Sequence, residues 1–187
     1  FHAAKTITMG EGGFVVAADR KIFDKIDRLC DQGMRKGKRY WHDSLGFNFR
    51  ITDLQAAIGC GQLQHLDRIR KAKARIHQVY TKELFGAAGT QLQRFTSDVD
   101  PLAWAIAVKI DADIYKGGRD GLIERFAQAG VETRPGFYPF SVMPFYKAPR
   151  LPVSEDVGQN VICFPSFVGL SDLQIRKICG LLKKFRQ

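Results

Sequence analysis

The sequence predicts an α/β protein in two parts, and three observations predict it. After about residue 85 the apolar pattern runs strand, helix, strand, helix. Before that, a long helical stripe begins at Thr52 and continues to about Leu84. Between them, Gly86-Ala87-Ala88-Gly89 breaks the pattern. Residues 1–85 and 86–187 are therefore expected to be separate parts, the second a small α/β domain.

The elements follow in order. Thr6–Thr8 and Phe14–Ala17 read as two short strands around Gly10-Glu11-Gly12-Gly13, whose glycines supply the positive φ of a tight connection. Asp19 starts a helix with apolar Ile22, Ile26 and Leu29. Residues 33–46 form a loop rich in Gly, Lys and Arg that carries Tyr40-Trp41-His42. Thr52 and Gln55 fit a capping box that opens the long helix. Its stripe is Leu54, Ile58, Leu66, Ile69, Ile76 and Val79. Gly59 and Gly61 lie inside it at a cost of about 1 kcal/mol each relative to Ala, so close packing against another backbone is expected there.

Further on, Leu102–Ile110 is expected as a strand and residues 121–129 as a helix ended by Gly130. Val131–Arg134 is a short extended piece, and residues 136–151 form a proline- and aromatic-rich loop. Asn160–Phe164 is the next strand. Ser171 and Gln174 form a second capping box, opening a last helix with Ile175, Ile178, Leu182 and Phe185 inward.

Composition sets outer limits. The 187 residues are 45% hydrophobic and 26% charged, which suits a packed core. The longest clean apolar run, Ala103 to Val108, is far shorter than a membrane span. Phe1 is not an initiator methionine, so a secretory segment upstream is not excluded. Cys30, Cys60, Cys163 and Cys179 lack metal-ligand spacing and read as buried or partly buried free thiols of a reducing, cytoplasmic setting. The net charge of +10 suits nucleic acid, phosphorylated small molecules or plain solvated helix faces. No nucleic-acid motif accompanies it.

Lys5 is the first residue with chemical promise. Its neighbours His2, Ala3, Ala4, Thr6 and Ile7 are mostly small or apolar. Burial disfavours a charged amine, and a neutral amine attacks carbonyls to form a Schiff base. A solvated charge is the plain alternative. Asn48 reads as a turn residue before the Thr52 helix. Arg50 reads as a partner for an acid, His42 as a loop histidine, and Arg134 and Tyr138 as residues that hold an irregular loop.

The order of motifs adds to this. FHAAKTITMGEGG, LGFNFRITDLQAAIG and GVETRPGFYPFSVMPFY occur collinearly over essentially the whole chain. In that order they resemble the pyridoxal-phosphate-dependent sugar aminotransferases of the DegT/StrS type, and the third motif looks most like the perosamine-synthetase branch. The resemblance implies the C-terminal half of a fold-type-I transferase: the end of a large cofactor domain with a long inter-domain helix over 1–85, and a small domain over 86–187. It implies that Lys5 attaches pyridoxal 5'-phosphate and later shuttles a proton. It implies that Asn48 reaches the cofactor phosphate of the second subunit in a homodimer, with His42 and Arg50 lining that shared site. Arg134 and Tyr138 then fall on the loop that approaches the nucleotide-sugar.

The implied reaction moves an amino group, from glutamate, to a GDP-4-keto-6-deoxyhexose by a ping-pong route, for amino-sugar and surface-polysaccharide synthesis. A subgroup of the family replaces this lysine with histidine and dehydrates the sugar; Lys5 argues against it. In the family, the acid that pairs with the pyridine nitrogen and the helix that holds the phosphate lie upstream of the lysine. The chain is therefore expected to be incomplete alone and to expose apolar surface. Two rival readings stand beside this one: a non-catalytic fragment with an interaction or regulatory role, and a basic nucleic-acid-binding domain.

Overall fold

A computed structural model describes residues 1–186. The chain divides into two compact units, Phe1–Leu66 and Asp67–Gln187.

The first unit contains two helices, α1 (Arg20–Cys30) and α2 (Asp53–Gln64). Asp19 caps α1 through its side chain, which accepts from the amides of Lys21 and Ile22. Thr52 and Gln55 close the expected capping box on α2. The expected hairpin does not form. Residues 1–13 are turns and bends, and Phe14–Ala17 is unpaired. A strand exists through its ladder partner, and among the described residues no strand pairs with Val15 and Val16, which stay exposed. The positive φ is present at Gly10 and Gly12 and absent from Gly13.

The long helix also differs from expectation. It stops at His65, whose amide bonds back to the Gln62 carbonyl, and restarts as α3 (Leu66–Leu84). The apolar stripe changes character across that break. Leu54 is 74% exposed, while Ile69 and Ile76 on α3 are buried. Among the described residues of the first unit, Met9 is the one buried hydrophobic side chain. Phe14, Val16, Phe47, Phe49, Leu54 and Ile58 are all exposed, as expected of a chain with unburied apolar surface.

The second unit carries the core. Its sheet contains β1 (Thr90–Leu92), β2 (Ile106–Ile110), β3 (Arg134–Pro135) and β4 (Val161–Phe164), in the order β1-β2-β4-β3 with every pairing antiparallel. Ile106 sits opposite Phe164 and Val108 opposite Ile162. The period of two puts Ile106, Val108, Ile110, Ile162 and Phe164 on one buried face. That face is packed with Ile76, Tyr80 and Leu84 of α3, with Leu122 and Phe126 of α4 (Gly118–Gln128), and with Ile175, Ile178 and Leu182 of α6 (Asp172–Lys184). Phe185 is only partly buried against this core. Pro135 occupies an edge strand, where its missing N–H costs no ladder bond.

The sequence pattern did not indicate β1 or α5 (Pro152–Asn160). Strand β1 is three residues long, and α5 is a nine-residue helix with no apolar stripe. Helix α5 begins with Pro at its first position, where the lost N–H is an unpaired donor anyway. Lys109, on the less buried face of β2, forms an ion pair with Asp156 of α5.

All four cysteines are free, but Cys60 is exposed rather than buried. Burial pushes the Cys179 thiol up to about 12, which suits a packing residue rather than a nucleophile.

Gly59 and Gly61 have different reasons. A Cβ on Gly59 would lie 2.8 Å from Met9 Sδ, so Gly59 makes room for a side chain, not for a backbone. A Cβ on Gly61 would meet nothing within 4 Å. Gly61→Ala should therefore raise the unfolding free energy by about 1 kcal/mol. Gly59→Ala should not, because Met9 would be displaced. Urea denaturation of the two variants reads this difference, and equal gains would show that Met9 is not held against α2.

Candidate functional site

In the first unit, Lys5 lies exposed on a turn instead of in the desolvated setting its neighbours suggested. The turn is closed by hydrogen bonds. The Met9 amide and the Thr8 hydroxyl both donate to the Phe1 carbonyl, at 3.0 and 3.1 Å. The Lys5 amide donates to the His2 carbonyl at 2.9 Å. Met9 plugs the turn onto α2 at Gly59. Lys5 is thus presented from a loop with a fixed base.

His42, Asn48 and Arg50 are brought together at the C-terminal end of α1. The Phe47 amide donates to the Leu29 carbonyl at 2.7 Å, the Phe49 amide to Cys30 at 3.1 Å, and the Gln32 amide to Phe47 at 3.0 Å. Residues 47–49 therefore run back along the end of the helix. The approach is close enough to require glycine on both sides. A Cβ on Gly46 would lie 2.1 Å from the Gly33 nitrogen, and one on Gly33 would lie 1.9 Å from the Ser44 carbonyl oxygen. Gly33 also adopts φ +70, a left-handed conformation. Here is the backbone-on-backbone contact that the pattern had suggested for α2. An Arg28–Asp43 ion pair ties the loop to the helix.

The side chains then acquire defined roles. Arg50 forms an ion pair with Asp31 at 2.7 Å, and its Nε donates to Asn48 Oδ1 at 3.0 Å. With its carbonyl oxygen held, exposed Asn48 has its NH2 left as the donor group. His42 Nδ1 lies 3.0 Å from the Gln32 carbonyl, so that nitrogen carries the proton and Nε2 is left as an acceptor in the neutral ring.

In the second unit, Arg134 is exposed and pairs with Glu132 at 2.8 Å. Tyr138 is held from below: its hydroxyl accepts from Arg119 at 2.6 Å. Sequence reasoning did not single out Arg119. The expected helix begins at residue 121, whereas α4 starts at Gly118 and places Arg119 in its first turn, where a cation opposes the helix dipole and needs a tertiary partner.

Lys73 was also missed, in a basic stretch that reads as a solvated face. Its amine donates to the Ser166 carbonyl at 2.6 Å, and burial pushes its pKa down. The loop after Tyr138 is anchored by Glu155, which accepts from the Leu151 amide and the Ser141 hydroxyl, both at 2.9 Å, and from Arg150. The Arg150 hydrogen bond, followed by that of the Leu151 amide, lowers the Glu155 carboxyl to about 2. Among the described residues, no group of three or more His, Cys, Asp or Glu can hold a metal ion, and no helix is long and apolar enough to cross a membrane.

The family model of the DegT/DnrJ/EryC1/StrS aminotransferases matches residues 1–183. The chain belongs to this family. It is 38% identical to the GDP-perosamine synthase of Vibrio cholerae, over 99% of this chain and 51% of that protein. It is 35% identical to the GDP-perosamine synthase of Escherichia coli O157:H7, over 99% of this chain and 50% of that protein. Family members of the perosamine branch are thus among its near relatives. A crystal structure of DesI in the presence of its TDP-sugar product superposes with a TM-score of 0.85 at 26% identity, over 98% of this chain and 47% of that one. The family fold is therefore present, and the chain spans about half the length of the relatives it matches.

Two outcomes are expected. Gly46→Ala has no room for its methyl, and overpacking of this kind costs about 1–3 kcal/mol. It should release residues 42–50 from α1, which amide hydrogen exchange at Phe47 and Phe49 would register. Glu155 has a lowered folded-state pKa, so its stabilisation is complete above the ordinary value of 4.5 and is lost as pH falls toward about 2. In Glu155→Gln that acid-dependent loosening of residues 140–152 should be absent; unchanged acid sensitivity would mean that another carboxyl is responsible.

Proposed function

We propose that this chain is the lysine-bearing C-terminal part of a pyridoxal-phosphate-dependent aminotransferase. The reaction moves an amino group from glutamate to the 4-keto carbon of a 6-deoxy nucleotide-sugar, with GDP as the favoured nucleotide. The observation that carries the proposal is the match of 99% of this chain to about half of two GDP-perosamine synthases, together with Lys5 on a solvent-facing turn with a pinned base.

The residues present fit the cofactor in two respects. An amine attachment point needs access, and Lys5 is exposed. A phosphate needs donors, and the Asn48 NH2 is a donor group that Arg50, bound to the carbonyl oxygen, does not occupy. The cofactor supplies the electron sink that amino transfer requires. The chain's own residues do the rest. Lys5 Nζ holds the cofactor and moves the proton at the reacting carbon. Asn48 serves the phosphate of the second copy in a homodimer. His42 and Arg50 line that shared site, and Arg50 acts by fixing Asn48. Arg134 and Tyr138 belong to the loop that meets the nucleotide-sugar. Residues 1–66 complete a large cofactor domain, α3 is the inter-domain helix and packs into the core of the second unit, and residues 86–187 form the rest of the small domain. The net charge of +10 suits the several phosphates of cofactor and substrate.

Borohydride reduction in the presence of pyridoxal phosphate, followed by peptide mapping, tests the reading. A single adduct on Lys5 is expected, and a longer protein that joins these residues to the upstream half of the site should transfer an amino group to a GDP-4-keto-6-deoxyhexose. Lys5→Ala should lose both. Labelling scattered over surface lysines would remove the assignment of Lys5.

A further inference from the structure

We propose that Arg119 is a positioning residue that sets the Phe137–Tyr146 loop for nucleotide-sugar binding by clamping Tyr138 and Gly158 together. This rests on the functional reading above. The Arg119 side chain is only 4% exposed. Its Nε donates to Asp120 Oδ1 at 2.8 Å. One terminal nitrogen donates to the Gly158 carbonyl of α5 and the other to the Tyr138 hydroxyl, each at 2.6 Å. The guanidinium also lies over the Tyr138 ring, 5.1 Å from its centroid. One planar fork therefore joins α4, α5 and the loop, and lysine, with a single charged centre, does not reproduce that geometry.

The surroundings are built to the same end. A Cβ on Gly158 would lie 2.7 Å from Pro139 Cδ and 3.0 Å from the Phe137 carbonyl oxygen, so α5 accepts the loop only at a glycine. Phe137 stacks on Trp104, with centroids 6.3 Å apart and ring planes 4° apart. Trp104 is held in turn, because its carbonyl accepts from the Ser166 hydroxyl at 2.9 Å. The clamp fixes the base of the loop and leaves its aromatic tip, Phe140 and Phe145, exposed.

The test has one arm without substrate and one with it. In the first, hydrogen exchange is followed at the amides of Val142, Met143 and Tyr146, which hold the loop's internal turns. Hydrogen bonds to a charged group are worth about 1.5–3 kcal/mol, so Arg119→Lys and Tyr138→Phe should each speed these amides about tenfold, with Val108 in the core unchanged. The double variant should add little to either single one. Arg119→Ala is the stronger variant; if it does not fold, the two milder ones carry the test.

In the second arm, the pyridoxal-phosphate-loaded protein that joins this chain to the upstream half of the site should show a KM for nucleotide-sugar raised about tenfold in Arg119→Lys, with the KM for the amino donor unchanged. Unchanged exchange overturns the clamp. Faster exchange with an unchanged nucleotide-sugar KM overturns the positioning role. A wild-type protein that carries the upstream half of the site and still lacks aminotransferase activity sinks the functional reading instead, and the exchange arm then decides the clamp by itself.

Discussion

Burial of one face of β2 and β4 beneath α3, α4 and α6 is the interaction on which the second unit rests. Ile106, Val108, Ile110, Ile162 and Phe164 are withdrawn from water together, and each buried side chain of this size contributes about 1.5–3 kcal/mol. Several polar groups of that unit are anchored at the edge of the dry layer. The Tyr80 hydroxyl finds the Pro165 carbonyl, Lys73 finds that of Ser166, and Arg119 finds Gly158 and Tyr138. A buried polar group is costly unless it is satisfied, so each of these bonds fixes a loop at the edge of the core.

The first unit works under a different constraint. With Met9 as its buried hydrophobic side chain, it has little apolar burial of its own among the described residues. Local hydrogen bonds and close backbone contact hold its two chemically interesting loops. The Lys5 turn is closed by bonds to the Phe1 carbonyl. The Asn48 segment is laid against α1 through Gly33 and Gly46. Both loops present polar side chains from rigid bases beside exposed Phe14, Val16, Phe49 and Leu54.

Much of the fold was legible because its signals are local. Asp19, Thr52 with Gln55, and Ser171 with Gln174 cap the helices the pattern assigned to them. Capping is a matter of three or four consecutive residues, and no distant partner is needed to read it. Gly130, at φ +75, ends α4 for the same kind of reason. The alternation in β2 was legible too, although its start was set four residues too early. The apolar stripe of the long helix was less instructive. It showed which residues share a face, but not that Leu54 would remain exposed while Ile76 was buried, because periodicity does not report what lies opposite.

The sequence by itself determined the order of the motifs, the capped helices, the period-two face of the sheet and the position of Lys5 at the head of its motif. The tertiary structure decided what those positions contact. Arg119 reaches Gly158 across 39 residues and Lys73 reaches Ser166 across 93, separations over which no local pattern carries information. It decided that Phe14–Ala17 is not a strand of a hairpin, since a strand is made by its partner. It decided that Gly59 yields to Met9 and that the true backbone contact lies at Gly33 and Gly46. Local propensity is written along the chain; the satisfaction of a buried charge or a close contact is settled only when distant segments meet.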